Sequence, residues 1–230
     1  CFRQVFVEMV AQNLVKTTNS DYFKKLILEQ TNKNVSWFFG DYLKTKKKID
    51  YTIKKVTKGK DSLRIIIQNK RNFTAPIALY GIKERDIIFR KWIYGIDSTA
   101  SITIPKGDYD RISLNYEYLY PELNLRDNWK NLNGLFNRPI QFRFFKDVED
   151  PYYNQVFYNL YSSYNLYDGV LLGLRLYNES VFKKKWLYKI TPTYGTASRK
   201  ITGSFSFVYQ HIPEETSIYK FTSGTGTITF

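Results

Sequence analysis

"DGVLLGLRLYN", residues 168–178, is the stretch on which the fold turns. Val170, Leu172, Leu174 and Leu176 occupy every second position, and Leu171, Gly173, Arg175 and Tyr177 stand between them. A period of two puts the first set on one face of a strand and the second set on the other. The neighbouring stretches repeat the arrangement. In "KITGSFSFVYQ" (200–210) Phe205, Phe207 and Tyr209 oppose Thr202, Ser204 and Ser206, and in "WLYKITPTYG" (186–195) Trp186, Tyr188 and Ile190 oppose Leu187, Lys189 and Thr191. Strands of about ten residues with an apolar-aromatic face and a small-polar face carry the dyad signature of outer-membrane barrels. A soluble sandwich with one wet face writes the same pattern into any single strand. A barrel closes with at least about eight strands, and residues 140–230 have room for four to six.

Upstream the alternation comes in shorter runs, beginning after Lys48. "IDYTIKKV", "SLRIIIQN", "APIALYGI", "RDIIFRKWIYG", "ASITIP" and "RISLNYEYLYP" are short alternating runs separated by turn clusters such as "GIDSTAS" and "PKGDYD". Strands at a spacing of about ten residues with turn signals between them predict an antiparallel β-sandwich over 47–121. Residues 1–46 read as helical: Phe2, Val5, Phe6, Met9, Val10 and Asn13 recur at three- and four-residue spacing, Asn19 or Ser20 caps a second helix, and Asn34 a third. "PELNLRDNWKNLNGLFNRP" is rich in Asn, and 122–150 reads as a linker. Antiparallel strands, the start of an outer-membrane barrel, then fill 151–230. The fold class expected is mainly β with an N-terminal helical segment, an antiparallel β-sandwich followed by barrel-type antiparallel strands.

Composition narrows the chemistry. The chain has 230 residues, 18% of them aromatic, with Tyr (20) and Phe (17) together outnumbering its 21 acidic residues. Its mean hydropathy of −0.42 and lack of a long apolar run rule out a transmembrane helix but not a transmembrane barrel. A net charge of +14 suits nucleic acid, anionic lipid, an acidic polymer, or plain solubility. His211 is the sole histidine, so two-His zinc motifs cannot be built within this chain, and its setting "YQHIPEE" reads as a strand end and turn. The single Cys, at position 1, excludes an internal disulfide.

"DYFKKLILEQTNKNVSWFFGDYLKTKKKIDYTIKKV" (21–56) resembles the end of the catalytic domain in the aminopeptidase N-like (gluzincin) zinc metallopeptidases, where a small-polar-Trp-Phe-Phe helix ("VSWFFGDYL" here) passes straight into a β-sandwich. "SLRIIIQNKRNFTAPIALYGI" follows in the family's order. "LNLRDNWKNLNGLFNRPIQFRFFKDVEDPYYNQVFYN" and "YDGVLLGLRLYN" are similar to a membrane-associated Bacteroidota-type subgroup with an outer-membrane β-barrel-like C-terminal region. The resemblance implies the non-catalytic C-terminal part of a membrane-associated aminopeptidase, supporting and anchoring the peptidase. It places the protein at the outer membrane or cell envelope of a Gram-negative bacterium, with the upstream catalytic domain and the outer membrane or its proteins as partners. Zinc is expected in the upstream domain and no cofactor in this chain. No catalytic or metal-binding residue is carried over, because none of the family's catalytic positions falls in the matched region. The alternative is a non-enzymatic outer-membrane or surface assembly subunit.

The residues offer one candidate site, a membrane interface at Lys183, Lys184, Lys185, Trp186 and Tyr188, with Lys at the level of headgroup phosphates and the rings at the boundary. The same composition could stack single-stranded nucleic acid, but no nucleic-acid motif accompanies it and no nucleic-acid partner is expected. Lys44, Lys46, Lys47 and Lys48 read as a solvated turn at a helix C-terminus. Asp147, Glu149, Asp150, Glu214 and Glu215 read as loop charge. Gly226, Ile228 and Phe230 alternate as in a terminal barrel strand. Trp37 and Phe38 are expected to be less buried in this chain than beside an upstream catalytic body.

Overall fold

The computed structural model describes residues 7, 10, 11, 19–181, 184–211 and 221–229, with the side chains of 211 and 221–229 excepted. The fold is mainly β, as the alternation predicts, with thirteen strands among the described residues after a short helical segment. The chain divides into two compact units, Cys1–Gly134 and Leu135–Phe230. Among the described residues no helix is long and apolar enough to cross a membrane.

The helical segment holds α1 (Ser20–Gln30), and Asn19 caps it by accepting the Tyr22 amide at 2.9 Å. A π-helical turn, Trp37–Tyr42, follows after Asn34 accepts the Ser36 amide at 2.9 Å. The first expected helix falls almost wholly outside the described residues.

In the first unit β1 (Tyr51–Lys58), β2 (Ser62–Asn69) and β5 (Thr99–Pro105) form one sheet in the order β1-β2-β5. β3 (Ile77–Lys83), β4 (Asp86–Ile93), β6 (Arg111–Leu114) and β7 (Trp129–Asn131) form a second in the order β4-β3-β6-β7. All pairings are antiparallel. Leu63, Ile65 and Ile67 from one sheet and Ile77, Leu79, Ile112 and Leu114 from the other meet in a single core. The residues between them on β2, Arg64, Ile66 and Gln68, point away, as a period of two requires. Each such side chain withdrawn from water contributes about 1.5–3 kcal/mol, so this core carries the unit's stability. Tyr109 lies in the core flat against β3, and a Cβ at Gly81 would stand 2.7 Å from its ring.

The junction between helix and sandwich is held from both sides. Trp37 packs edge-on against Phe73 and Tyr120, with ring centroids 6.5 and 5.7 Å away. The Glu122 carboxylate, part-buried beside the start of β1, accepts the Tyr51 amide and the Asn115 side-chain amide at 3.0 Å each, and Asn128 at 2.5 Å. Burial pushes its pKa up to about 7 despite those three donors. β7 therefore belongs to the sandwich, which continues past residue 121 into the stretch read as a linker.

The second unit is one six-stranded sheet, β8 (Ile140–Phe144), β9 (Asn154–Asn165), β10 (Gly169–Tyr177), β11 (Trp186–Gly195), β12 (Ile201–His211) and β13 (Phe221–Thr229), in the order β13-β12-β11-β10-β9-β8. From β9 to β13 it is an antiparallel meander, whereas β8 runs parallel to β9. Among the described residues it does not close on itself. The antiparallel strands expected over 151–230 are present as β9 to β13, and the parallel β8 lies before them, within the stretch read as a linker. Its five residues, "IQFRF", give too short an alternation to stand out.

Candidate membrane interface

The register of the second sheet fixes which side chains share a face. Leu176 lies opposite Tyr158 on β9 and Ile190 on β11, and Ile190 lies opposite Phe205 on β12. Leu174 lies opposite Leu160, and Tyr194 opposite Ile201. Trp186 meets Tyr209 at 4.4 Å and Phe207 at 5.3 Å between ring centroids. On β8 Ile140, Phe142 and Phe144 fall on this same face, since Phe144 pairs with Tyr158.

This apolar face is the exposed one. Leu160 is 75% exposed, Phe142 64%, Leu172 53% and Trp186 55%. On the opposite face Gln155, Thr191 and Thr193 are 3, 5 and 6% exposed. There Gln155 donates to Gln141 at 2.7 Å, the Thr193 and Thr202 hydroxyls meet at 3.0 Å, and the Arg175 guanidinium lies over the Tyr161 ring at 4.8 Å. Phe157 is buried on the same side against Tyr177. A sheet in water hides its apolar face and wets its polar one. This sheet does the reverse.

The charges follow the same division. Arg143, Arg175 and Lys189 are the charged residues of β8 to β12, and all three fall on the polar face by register. The apolar face carries no charge from end to end. Tyr158, Trp186 and Tyr209 stand toward one end of it and Tyr164 and Tyr194 toward the other, with leucines, Ile190 and Phe205 between. β9 to β13 are 12, 9, 10, 11 and 9 residues long. Ten residues rising about 3.3 Å each and tilted about 45° span about 23 Å, close to the about 25 Å apolar band of a membrane barrel. The strand connections are unequal: 166–168 and 196–200 at one end, 178–185 and 212–220 at the other. Gly173 allows β10 and β11 to close together, since a Cβ there would stand 2.0 Å from the Pro192 carbonyl oxygen.

The residues picked out from the sequence do not act as one patch. Lys183 lies outside the described residues. Lys184 turns inward, its ammonium 3.2 Å from the buried Glu149 carboxylate and donating to the Asn178 carbonyl at 2.7 Å. Arg138 and Ser180 reach the same carboxylate at 3.7 and 3.2 Å. Glu149 is therefore the centre of a buried ion cluster and not loop charge. Lys185 is exposed beside Trp186, and its carbonyl accepts the Gln210 amide at 2.6 Å. Trp186 and Tyr188 fall on the apolar face, and the Tyr188 amide is anchored to the Asn178 side chain at 2.9 Å. Gly226, Ile228, Phe230, Glu214 and Glu215 have no described side chains. Sequence reasoning missed the β8 contribution of Ile140, Phe142 and Phe144, for which the alternation of "IQFRF" was the available signal.

Among the described residues no three His, Cys, Asp or Glu side chains converge, and one histidine cannot supply the two that a His-Glu-x-x-His motif needs. No protein-family model, curated protein or solved structure matches the chain.

Proposed function

We propose that this chain is a non-catalytic part of a membrane-associated aminopeptidase-like protein and anchors it in the outer membrane through the β9–β13 sheet. The sandwich serves as the support between the peptidase and that anchor. The observation that carries the reading is the inverted sheet: a charge-free aliphatic band about as tall as a bilayer's hydrocarbon layer, with aromatic residues toward both ends and polar groups hydrogen-bonded on the reverse face. Hydrocarbon is the solvent in which such a face costs nothing to expose. Zinc and the peptide-cleaving groups belong to the upstream domain that the "VSWFFGDYL" resemblance implies.

Flotation with phospholipid vesicles tests the anchor. The purified chain, refolded from urea into vesicles, is expected to float with them and to resist carbonate extraction. A chain that stays at the bottom of the gradient and is monomeric without detergent overturns the reading. Zinc-dependent aminopeptidase activity in the isolated chain would overturn its non-catalytic assignment, and an upstream coding sequence without a His-Glu-x-x-His motif would favour the assembly-subunit alternative.

A further inference from the structure

The polar face of the second sheet holds a recess of about 320 Å³ bordered by Asn159, Arg175, Tyr177, Glu179, Lys189 and Ser206. Asn159 and Arg175 are direct partners across β9 and β10, and Lys189 faces Tyr177 on one side and Ser206 on the other. The Arg175 guanidinium carbon lies over the Tyr161 ring, 4.8 Å from its centroid. The Arg175 Nε is buried and without an acceptor, and beside it Asn159 Oδ1 is buried and without a donor. Among the described residues Lys189 makes no ion pair, whereas Glu179 is already paired to Lys146 at 2.8 Å. The recess therefore offers a guanidinium with an unsatisfied Nε, a second cation and a hydroxyl, and next to them one amide oxygen that wants an N–H.

The geometry points to a binding site for the acidic side chain of a peptide segment entering this face. A carboxylate matches the planar edge of arginine two bonds at a time, which a lysine cannot reproduce. Lys189, on the adjacent strand, adds a point charge to the same anion. The buried Asn159 oxygen requires a donor, which the backbone N–H of an acidic residue supplies and a free carboxylate does not. A buried polar group left without its partner costs about 1–3 kcal/mol, so a ligand that satisfies both orphans gains on both. The recess stands on its own lining and does not rest on the membrane reading above.

The test uses the full chain in detergent micelles, with binding followed by the arginine ¹H–¹⁵Nε signals and by calorimetry. The probes are N-acetyl-Gly-Glu-Gly-amide, the same peptide with Gln for Glu, and acetate. The acidic peptide is expected to shift the Arg175 signal saturably. The Gln peptide should show no saturation, and acetate should bind at least tenfold more weakly. Arg175→Lys should lower peptide affinity about tenfold or more and Lys189→Gln severalfold, with the β-sheet circular dichroism unchanged in both. Equal binding by the two peptides, equal binding by acetate, or undiminished binding by Arg175→Lys overturns the proposal. So does an acidic-peptide shift as small and unsaturable as that from sodium chloride, which would mean that water fills the recess. Because flotation is scored separately on vesicles, loss of peptide binding and loss of anchoring are told apart.

Discussion

The two sheets of the sandwich and the sheet of the second unit are built from the same kind of strand and sort their side chains in opposite senses. On β2, Leu63, Ile65 and Ile67 are buried and Arg64 is exposed. On β10, Leu172 and Leu174 are exposed and Arg175 is turned to the less exposed face. Alternation alone carries no sign: it says that two faces differ, not which one meets the solvent. The sign comes from what the polar face does. On β2 it meets water, whereas in the second unit its members bond to one another, as Thr193 does to Thr202 and Gln155 to Gln141.

Truncating one leucine in each unit gives the largest contrast. Leu79→Ala, in the sandwich core, should cost about 2–5 kcal/mol in urea unfolding, as core cavities do. Leu172→Ala, 53% exposed, should cost little in detergent-free buffer. A similar loss at both positions would mean that the second sheet is covered by protein.

Charging the band comes next. Leu174→Arg should reduce vesicle partitioning by about 2–4 kcal/mol, the cost of an arginine near the bilayer midplane of a barrel. If it leaves flotation intact while improving solubility, the band faces water and the contrast between the units collapses.

A smaller effect should be confined to the sandwich. Glu122 binds its proton more readily in the folded chain, with a pKa of about 7, than at its ordinary value of 4.5. Unfolding free energy therefore falls as pH rises from about 4.5 to 7 and levels off above, by up to about 3 kcal/mol. Glu122→Gln should remove that slope in denaturant titrations across the range.

The smallest effect tests the reverse face. Thr193→Val removes one side of the hydroxyl pair with Thr202, and should cost about 1 kcal/mol. Isosteric substitution at a wet face would cost nothing measurable, so a neutral result would weaken the inversion.

Much of this was legible in the residues. The period change near Lys48, the short strands to Leu114 and the long dyad strands after Asn154 all follow from alternation that packing reinforces. What escaped is what alternation cannot encode. β7 and β8 are 3 and 5 residues long, below the length at which a period of two is distinct. The parallel pairing of β8 is a long-range choice written in no local residue. Lys184 looked like part of an exposed run, but its partner Glu149 lies 35 positions earlier (184 − 149), where sequence spacing gives no hint of contact. The aromatics of "VSWFFGDYL" were read as a surface made for a missing domain, and Trp37 does find partners within this chain, in Phe73 and Tyr120.

The parallel strand has a kinetic side. β8 pairs with β9 only from Asn154 to Tyr158, leaving the β9 edge from Asn159 to Asn165 without a β8 partner. That is the arrangement of a toehold in strand exchange: an incoming strand can register on the free seven-residue half and then displace the short one by zipping toward Asn154. The open hydrogen-bonding half of this edge therefore lies at the sheet's short-turn end, where β8 does not reach.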